Sequence, residues 1–214
     1  MKKFLALLTL ILLAVTLFSC DWENVRNPFE PIRAEKPVIY LYPEDVTDVT
    51  VKLDFNGTLT STYPTYTDGW TVTAAPDGTL TDENGREYYC LYWEGNSNAK
   101  YDFTTGNVVR GEDTAAFLED ALANLGLTER EANEFIIYWL PQMKANEYNL
   151  ISFQTEAYTD NAVLDISPAP DTVIRVFMAW RAIAEPVEVE AQEFTVPVRE
   201  GFTVVEWGGA EITE

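Results

Sequence analysis

Two glutamates stand beside tryptophan and glycine: Glu94 in Trp93-Glu94-Gly95, and Glu206 in Glu206-Trp207-Gly208-Gly209. Two carboxylates flanked by aromatic rings are what glycoside hydrolysis uses. One acid protonates the leaving oxygen, and the other, roughly 5–10 Å away, serves as base or nucleophile while the rings hold the sugar. The competing reading is structural: each acid is neutralised by Arg175, Arg181 or backbone donors. That reading is favoured, since nothing in the spacing brings the two acids together. Glu134 is a third acid, set before a run so apolar (Phe135-Ile136-Ile137-Tyr138-Trp139-Leu140) that its carboxylate is drawn inward, where it needs an arginine or a hydroxyl.

A second constellation is aromatic. Tyr63, Tyr66 and Trp70 lie in the loop-like stretch 62–70. Flat amphipathic rings on a β scaffold suit glycan or peptide binding, because they bury area at low entropic cost. With Trp93, Trp207, Arg175 and Arg181 they make up the candidate ligand-binding set; the alternative is that the rings close the core. For metals the signal is weak. Asp77, Asp82 and Asn84 offer oxygens to Ca²⁺ from neighbouring turns but miss the EF-hand spacing, so neither a metal centre nor a cofactor is expected. The chain has no histidine, which excludes Ser-His-Asp and Cys-His catalysis and histidine zinc sites. Whether the protein is an enzyme is open, with the balance toward none.

The N-terminus speaks to location. Met1-Lys2-Lys3 is basic and residues 4–18 are almost wholly apolar, shorter than the ~20 residues a membrane-spanning helix needs and matched to a signal-peptide core. Leu17-Phe18-Ser19-Cys20 then resembles the bacterial lipobox, whose cysteine takes diacylglycerol. The expectation is cleavage after Ser19 and a protein tied to the extracytoplasmic face of a bacterial membrane by lipid on Cys20. Removing 19 of the 214 residues leaves 195, enough for one domain with a sizeable core. Loss of Lys2 and Lys3 takes the net charge from −21 to −23, a field that repels nucleic acid and acidic polymers. With Cys20 lipidated, Cys90 has no disulfide partner and reads as a buried, inert thiol.

These candidates need elements to hold them. Residues 20–36, polar and holding Pro28 and Pro31, read as a tether, with one domain over 37–214. Val38-Ile39-Tyr40-Leu41-Tyr42 is a continuous apolar run, as for a strand covered on both faces. Val49, Val51, Leu53 and Phe55 alternate with polar residues, as do Trp70, Val72 and Ala74; residues 88–93 form a further strand, with turns at 56–57, 76–78 and 82–85. The period then changes. Phe117, Leu118, Ala121, Leu122 and Leu125 keep helical spacing, and Thr128-Glu129-Arg130-Glu131 is a capping box opening a second helix that Pro141 ends or kinks. Strands resume at 150–157, 162–166, 172–182, 194–198 and 202–207. The expected fold is α+β: mostly antiparallel, sandwich-like sheets with two inserted helices at about 113–125 and 128–140.

Four segments carry a resemblance: Lys36-Pro37-Val38-Ile39-Tyr40-Leu41-Tyr42-Pro43, Tyr92-Trp93-Glu94-Gly95, Asn133-Glu134-Phe135-Ile136-Ile137-Tyr138-Trp139-Leu140-Pro141, and Gly201-Phe202-Thr203-Val204-Val205-Glu206-Trp207-Gly208-Gly209. Together they resemble a set of uncharacterised secreted or lipid-anchored bacterial proteins over residues 36–209. The resemblance implies one exported domain and no particular chemistry. The leading expectation is a non-catalytic module at the cell envelope that binds a glycan, a wall polymer or a protein. The alternatives are a glycan hydrolase using Glu94 and Glu206, and a structural subunit of an envelope assembly. The oligomeric state is left open.

Overall fold

Residues 31–213 are described by a computed structural model and form one compact unit. The signal segment, Cys20 and most of the expected tether lie outside the described residues. Thirteen strands run in chain order: β1 (Ile32–Tyr42), β2 (Thr47–Phe55), β3 (Gly57–Tyr63), β4 (Trp70–Ala74), β5 (Leu80–Thr81), β6 (Glu87–Tyr88), β7 (Leu91–Ser97), β8 (Thr105–Arg110), β9 (Tyr148–Phe153), β10 (Ala162–Ser167), β11 (Thr172–Ile183), β12 (Glu190–Ala191) and β13 (Thr203–Glu211). Helices α1 (Thr114–Asn124) and α2 (Glu129–Met143) follow β8, and a short α3 (Thr155–Thr159) follows β9.

The strands build two sheets, one of eight in the order β12-β8-β9-β11-β13-β1-β7-β3 and one of five in the order β10-β2-β4-β5-β6. Pairing is antiparallel except for β11 with β13 and β12 with β8. The eight-stranded sheet is the middle layer and buries both faces, which is why its central strands are apolar on both sides. On β11, Ile174, Val176, Met178 and Trp180 meet Leu118, Leu122, Phe135 and Trp139 of the helices. Phe177 points the other way, with Ile39, Leu91, Trp93 and Val204, into Val49, Val51, Trp70 and Val72 of the five-stranded sheet. The result is three layers, helix on sheet on sheet, an α+β sandwich in which each layer covers an apolar face of its neighbour.

Local chemistry explains the helices. The Thr128 hydroxyl accepts from Glu131 N–H, and the Glu131 carboxylate accepts from Thr128 N–H at 2.7 Å, the expected capping box. Pro141 lies inside α2, which runs on to Met143. The one N–H it lacks falls in the last turn, where a single missing bond does not break the helix.

Three expectations are corrected. Ile32–Lys36 belongs to β1 rather than to a tether, its first residues pairing with Asn96 and Ser97 of β7. Residues 154–157 turn into α3, so β9 ends at Phe153. Residues 194–198 form no strand. That segment straps the helices instead: Pro197 packs against Gly126, and Arg199 donates to Gly126 C=O at 2.7 Å and pairs with Glu131 at 2.5 Å. Ahead of it the Gln192 amide mimics a strand, accepting from Phe153 N–H (2.8 Å) and donating to Phe153 C=O (3.0 Å).

Candidate binding groove

Trp93 and Glu94 are consecutive in β7, so their side chains leave opposite faces of the sheet. Trp93 sits between the sheets and its Nε1–H donates to Glu206 Oε1 at 3.0 Å. Glu206 is therefore on the inter-sheet face and Glu94 on the other. The acid pair of the hydrolase alternative is not brought together, and that alternative loses its geometric basis. Each acid instead has a structural partner, Arg175 for Glu206 as the competing reading named and, for Glu94, Arg33, which it did not. Glu206, fully buried, accepts from Arg175 Nε at 2.7 Å, with Nη2 of the same guanidinium 2.7 Å away. Glu94 is ion-paired with Arg33 and accepts from Lys36 N–H at 3.4 Å. Glu134 turns inward, accepting from the Tyr40 hydroxyl at 2.7 Å with Arg130 3.6 Å away.

The aromatic set also divides. Trp93 and Trp207 are wholly buried and Trp70 is nearly so, which makes them core rather than ligand surface. Trp70 Nε1 donates to Pro64 C=O at 2.8 Å, and its ring meets Tyr66 edge-on at 4.6 Å. The Tyr66 hydroxyl closes on Leu53, accepting from its N–H at 3.0 Å. These two rings fix the 63–70 loop against the sheet. Arg175 is committed to Glu206, and the Arg181 guanidinium stacks over Phe103 at 5.0 Å. Tyr63 alone of the set is exposed, half its surface open, with its hydroxyl accepting from Arg86 at 2.7 Å.

Tyr63 leads to a groove of about 540 Å³ lined by Lys36, Val38, Glu87, Tyr88, Tyr89, Cys90, Tyr92, Glu94 and Tyr138. Its volume lies within the ~300–1,000 Å³ of small-ligand sites. Tyr63 and Tyr92 are register partners on β3 and β7, so they stand on one face. The helices cover that face over β8, β9, β11, β13 and β1, which supply the sheet's share of the helix-side core. The margin formed by β7 and β3 is left open beside Tyr138 of α2. Tyr88 and Tyr89, leading from β6 into β7, close the far side. Sequence reasoning missed Lys36, Tyr89, Tyr92 and Tyr138 because they come from three separate elements; the one local signal is the aromatic density of Tyr88-Tyr89-Cys90-Leu91-Tyr92.

The groove holds neutral hydroxyls and few charges. Burial pushes the Tyr92 hydroxyl up to about 12, with its hydrogen bond to Glu94 acting the same way. Burial likewise raises the Tyr138 hydroxyl, which donates to Glu35 at 3.0 Å. Cys90 is pushed up to about 12 by burial, against the lowering effect of Lys36. It is therefore a thiol at neutral pH and not a nucleophile. Rings that stack, hydroxyls that donate and one ammonium suit recognition rather than bond cleavage.

A second, larger depression of about 730 Å³ lies over the outer face of the five-stranded sheet, lined by Asp48, Thr71, Thr73, Asp82 and Glu83. Its acids serve the fold: Asp48 accepts from the Thr73 hydroxyl at 2.7 Å, and Asp82 accepts from Arg86 N–H and Asn84 N–H, both at 2.9 Å. Those backbone bonds, that of Arg86 foremost, hold the Asp82 carboxyl below its usual range. Asp77 similarly accepts from Thr79 N–H at 2.9 Å. Among the described residues no group of three His, Cys, Asp or Glu side chains is placed to hold a metal ion.

No protein-family model matches the chain, and no solved structure matches it. A stretch of 63 residues is 51% identical to an uncharacterised protein in the bglA 3′ region of Butyrivibrio fibrisolvens, covering 28% of this chain and 65% of that protein. The chain thus spans just under two thirds of that relative's length.

Proposed function

We propose that the protein is a non-catalytic carbohydrate-binding module, and that the tyrosine-lined groove is its binding site. The observation that carries this reading is the ring of Tyr63, Tyr88, Tyr89, Tyr92 and Tyr138 around an open groove. Such rings stack on the C–H faces of sugars while their margins offer hydroxyl partners. Two further facts support binding over turnover: Glu94 is neutralised by Arg33, and Glu206 faces the opposite side of the sheet. The reading extends to an exported protein held at the cell envelope by lipid on Cys20, which rests on the basic start, the apolar run and the Leu17-to-Cys20 motif.

The test is calorimetry of the purified chain against cellohexaose, xylohexaose, mannohexaose and muropeptides. Tyr63→Ala and Tyr89→Ala are run alongside; both rings are about half exposed, and the melting temperature of each variant serves as the control for folding. At least one glycan binds wild type, and each variant weakens it about ten-fold or more, as for a lost stacking anchor. Release of reducing ends by wild type, or binding that survives both substitutions, refutes the reading.

A further inference from the structure

Lys36 is the one non-glycine among the described residues with a positive φ, 61°. A side chain in that region is strained, and such strain gathers at functional sites. The position is a β-bulge: the register of β1 shifts between Glu35 and Val38 against β13, and between Ala34 and Val38 against β7. The bulge explains a fault in the alternation. Ala34 belongs to the inter-sheet core and Val38 to the helix-side core, although an even spacing keeps residues on one face of a regular strand. Reversing the faces does not itself require a lysine.

What the lysine adds is charge. Its Nζ lies 5.5 Å from the ring centre of Tyr92 and 5.9 Å from that of Tyr138, held between two walls of the groove. Among the described residues no carboxylate lies within ion-pair distance of it; of the two acids that line the groove, Glu94 is taken by Arg33 and Glu87 is turned out to solvent, exposed. What sets Lys36 apart is its burial: it is half-buried, whereas Lys52, Lys100 and Lys144 are exposed. Arg86 adds a second cation at the rim, donating to the Tyr63 hydroxyl at 2.7 Å.

We infer that the groove selects an acidic saccharide, a hexuronate unit stacked on the tyrosines with its carboxylate against Lys36. The inference rests on the carbohydrate-binding reading above and narrows it. The protein's net charge of −21 opposes long polyanions. At physiological ionic strength that field is screened beyond about 8 Å, so a short oligouronide or an isolated uronate unit fits better than a polyuronate.

The experiment compares tetragalacturonate and tetramannuronate with their methyl esters, which keep the shape and remove the charge. At least one acid form binds wild type about ten-fold more tightly than its ester. Lys36→Gln abolishes that preference, and Lys36→Asn, whose side chain tolerates positive φ, does the same with the melting temperature held. Equal binding of acid and ester, or a preference that survives both substitutions, overturns the inference. If the neutral hexasaccharides bind at Tyr63 and Tyr89 while neither uronide does, the inference falls and carbohydrate binding stands. If no saccharide binds, both fall.

Discussion

The Arg175–Glu206 pair gives the most exacting test of the three-layer packing. Glu206 is fully buried and the Arg175 side chain is 8% exposed, with Tyr158 capping the guanidinium at 4.8 Å. Charges so placed are tolerable only together. Replacing Glu206 by Leu strands a guanidinium between the sheets and orphans the Trp93 N–H, and about 4 kcal/mol is the expected loss. Arg175→Met strands a carboxylate with the indole as its remaining donor and costs a similar amount. The Glu206→Leu, Arg175→Met double variant removes both charges and restores apolar packing, and lies within about 2 kcal/mol of wild type. The two substitutions are therefore coupled by several kcal/mol. Urea denaturation followed by tryptophan fluorescence measures all four corners of the cycle, with an unchanged slope as the control for two-state behaviour. For a domain of this size, about 4 kcal/mol also appears as a fall of roughly 8–16 °C in the melting temperature. Single variants that each lose less than about 1 kcal/mol, or a double variant as unstable as the sum, would refute a buried, mutually compensating pair and with it the close packing of the two sheets here.

Other expectations follow from single contacts. Tyr40→Phe removes the hydroxyl that bonds Glu134 and that accepts from Trp207 Nε1 at 3.2 Å; the orphaned indole is wholly buried, and unfolding in urea reads a loss of about 1–3 kcal/mol. Thr128→Ala breaks the capping box of α2 and lowers stability by about 0.5–2 kcal/mol in the same assay, with circular dichroism showing the helix retained. Alkali destabilises the fold. Burial raises Tyr40, Tyr42 and Tyr138 and pushes Tyr92 and Cys90 up to about 12, so between about pH 9 and 12 the native state holds protons that the unfolded chain has released. Their contribution is complete below about pH 8.5 and is lost as pH rises through the folded values; a urea midpoint that stays flat from pH 8 to 11 contradicts this. Cys90 resists iodoacetamide at pH 8 in the native protein and reacts once urea unfolds it, which mass spectrometry records.

Where a single periodicity governs, the fold was legible. Ile174, Val176, Met178 and Trp180 alternate with Arg175, Phe177 and Arg181, and β11 divides them between its two covered faces as that pattern requires. Thr128 and Glu131 mark the start of α2 because capping is local chemistry. The failures have local causes too. Residues 194–198 have strand-like composition, but the nearby backbone of Phe153 is already occupied by the Gln192 side chain. The strand Gly57–Tyr63 was not anticipated, because an edge strand with little burial leaves no apolar alternation.

The site was hidden for a different reason. Alternation alone places Trp93 and Glu94 on opposite faces, so half of the acid question is answerable from β7. The other half depends on Ile39 pairing with Glu206 in the neighbouring strand, a long-range register that no local pattern encodes. Lys36 is further still from view. Alternation from Val38 and Tyr40 puts it on the helix-side face while alternation from Ala34 puts it on the other, and the choice is settled only by the register of β1 with both neighbours. Of the motifs that announce chemistry, Glu206 beside Trp207 proved an interior fitting of the sandwich, while Glu94 beside Trp93 lies ion-paired at the groove. The residues best placed to meet a ligand are scattered, individually ordinary, and assembled by an irregularity in the backbone. Among the described residues, Lys36 is where left-handed backbone and the groove coincide.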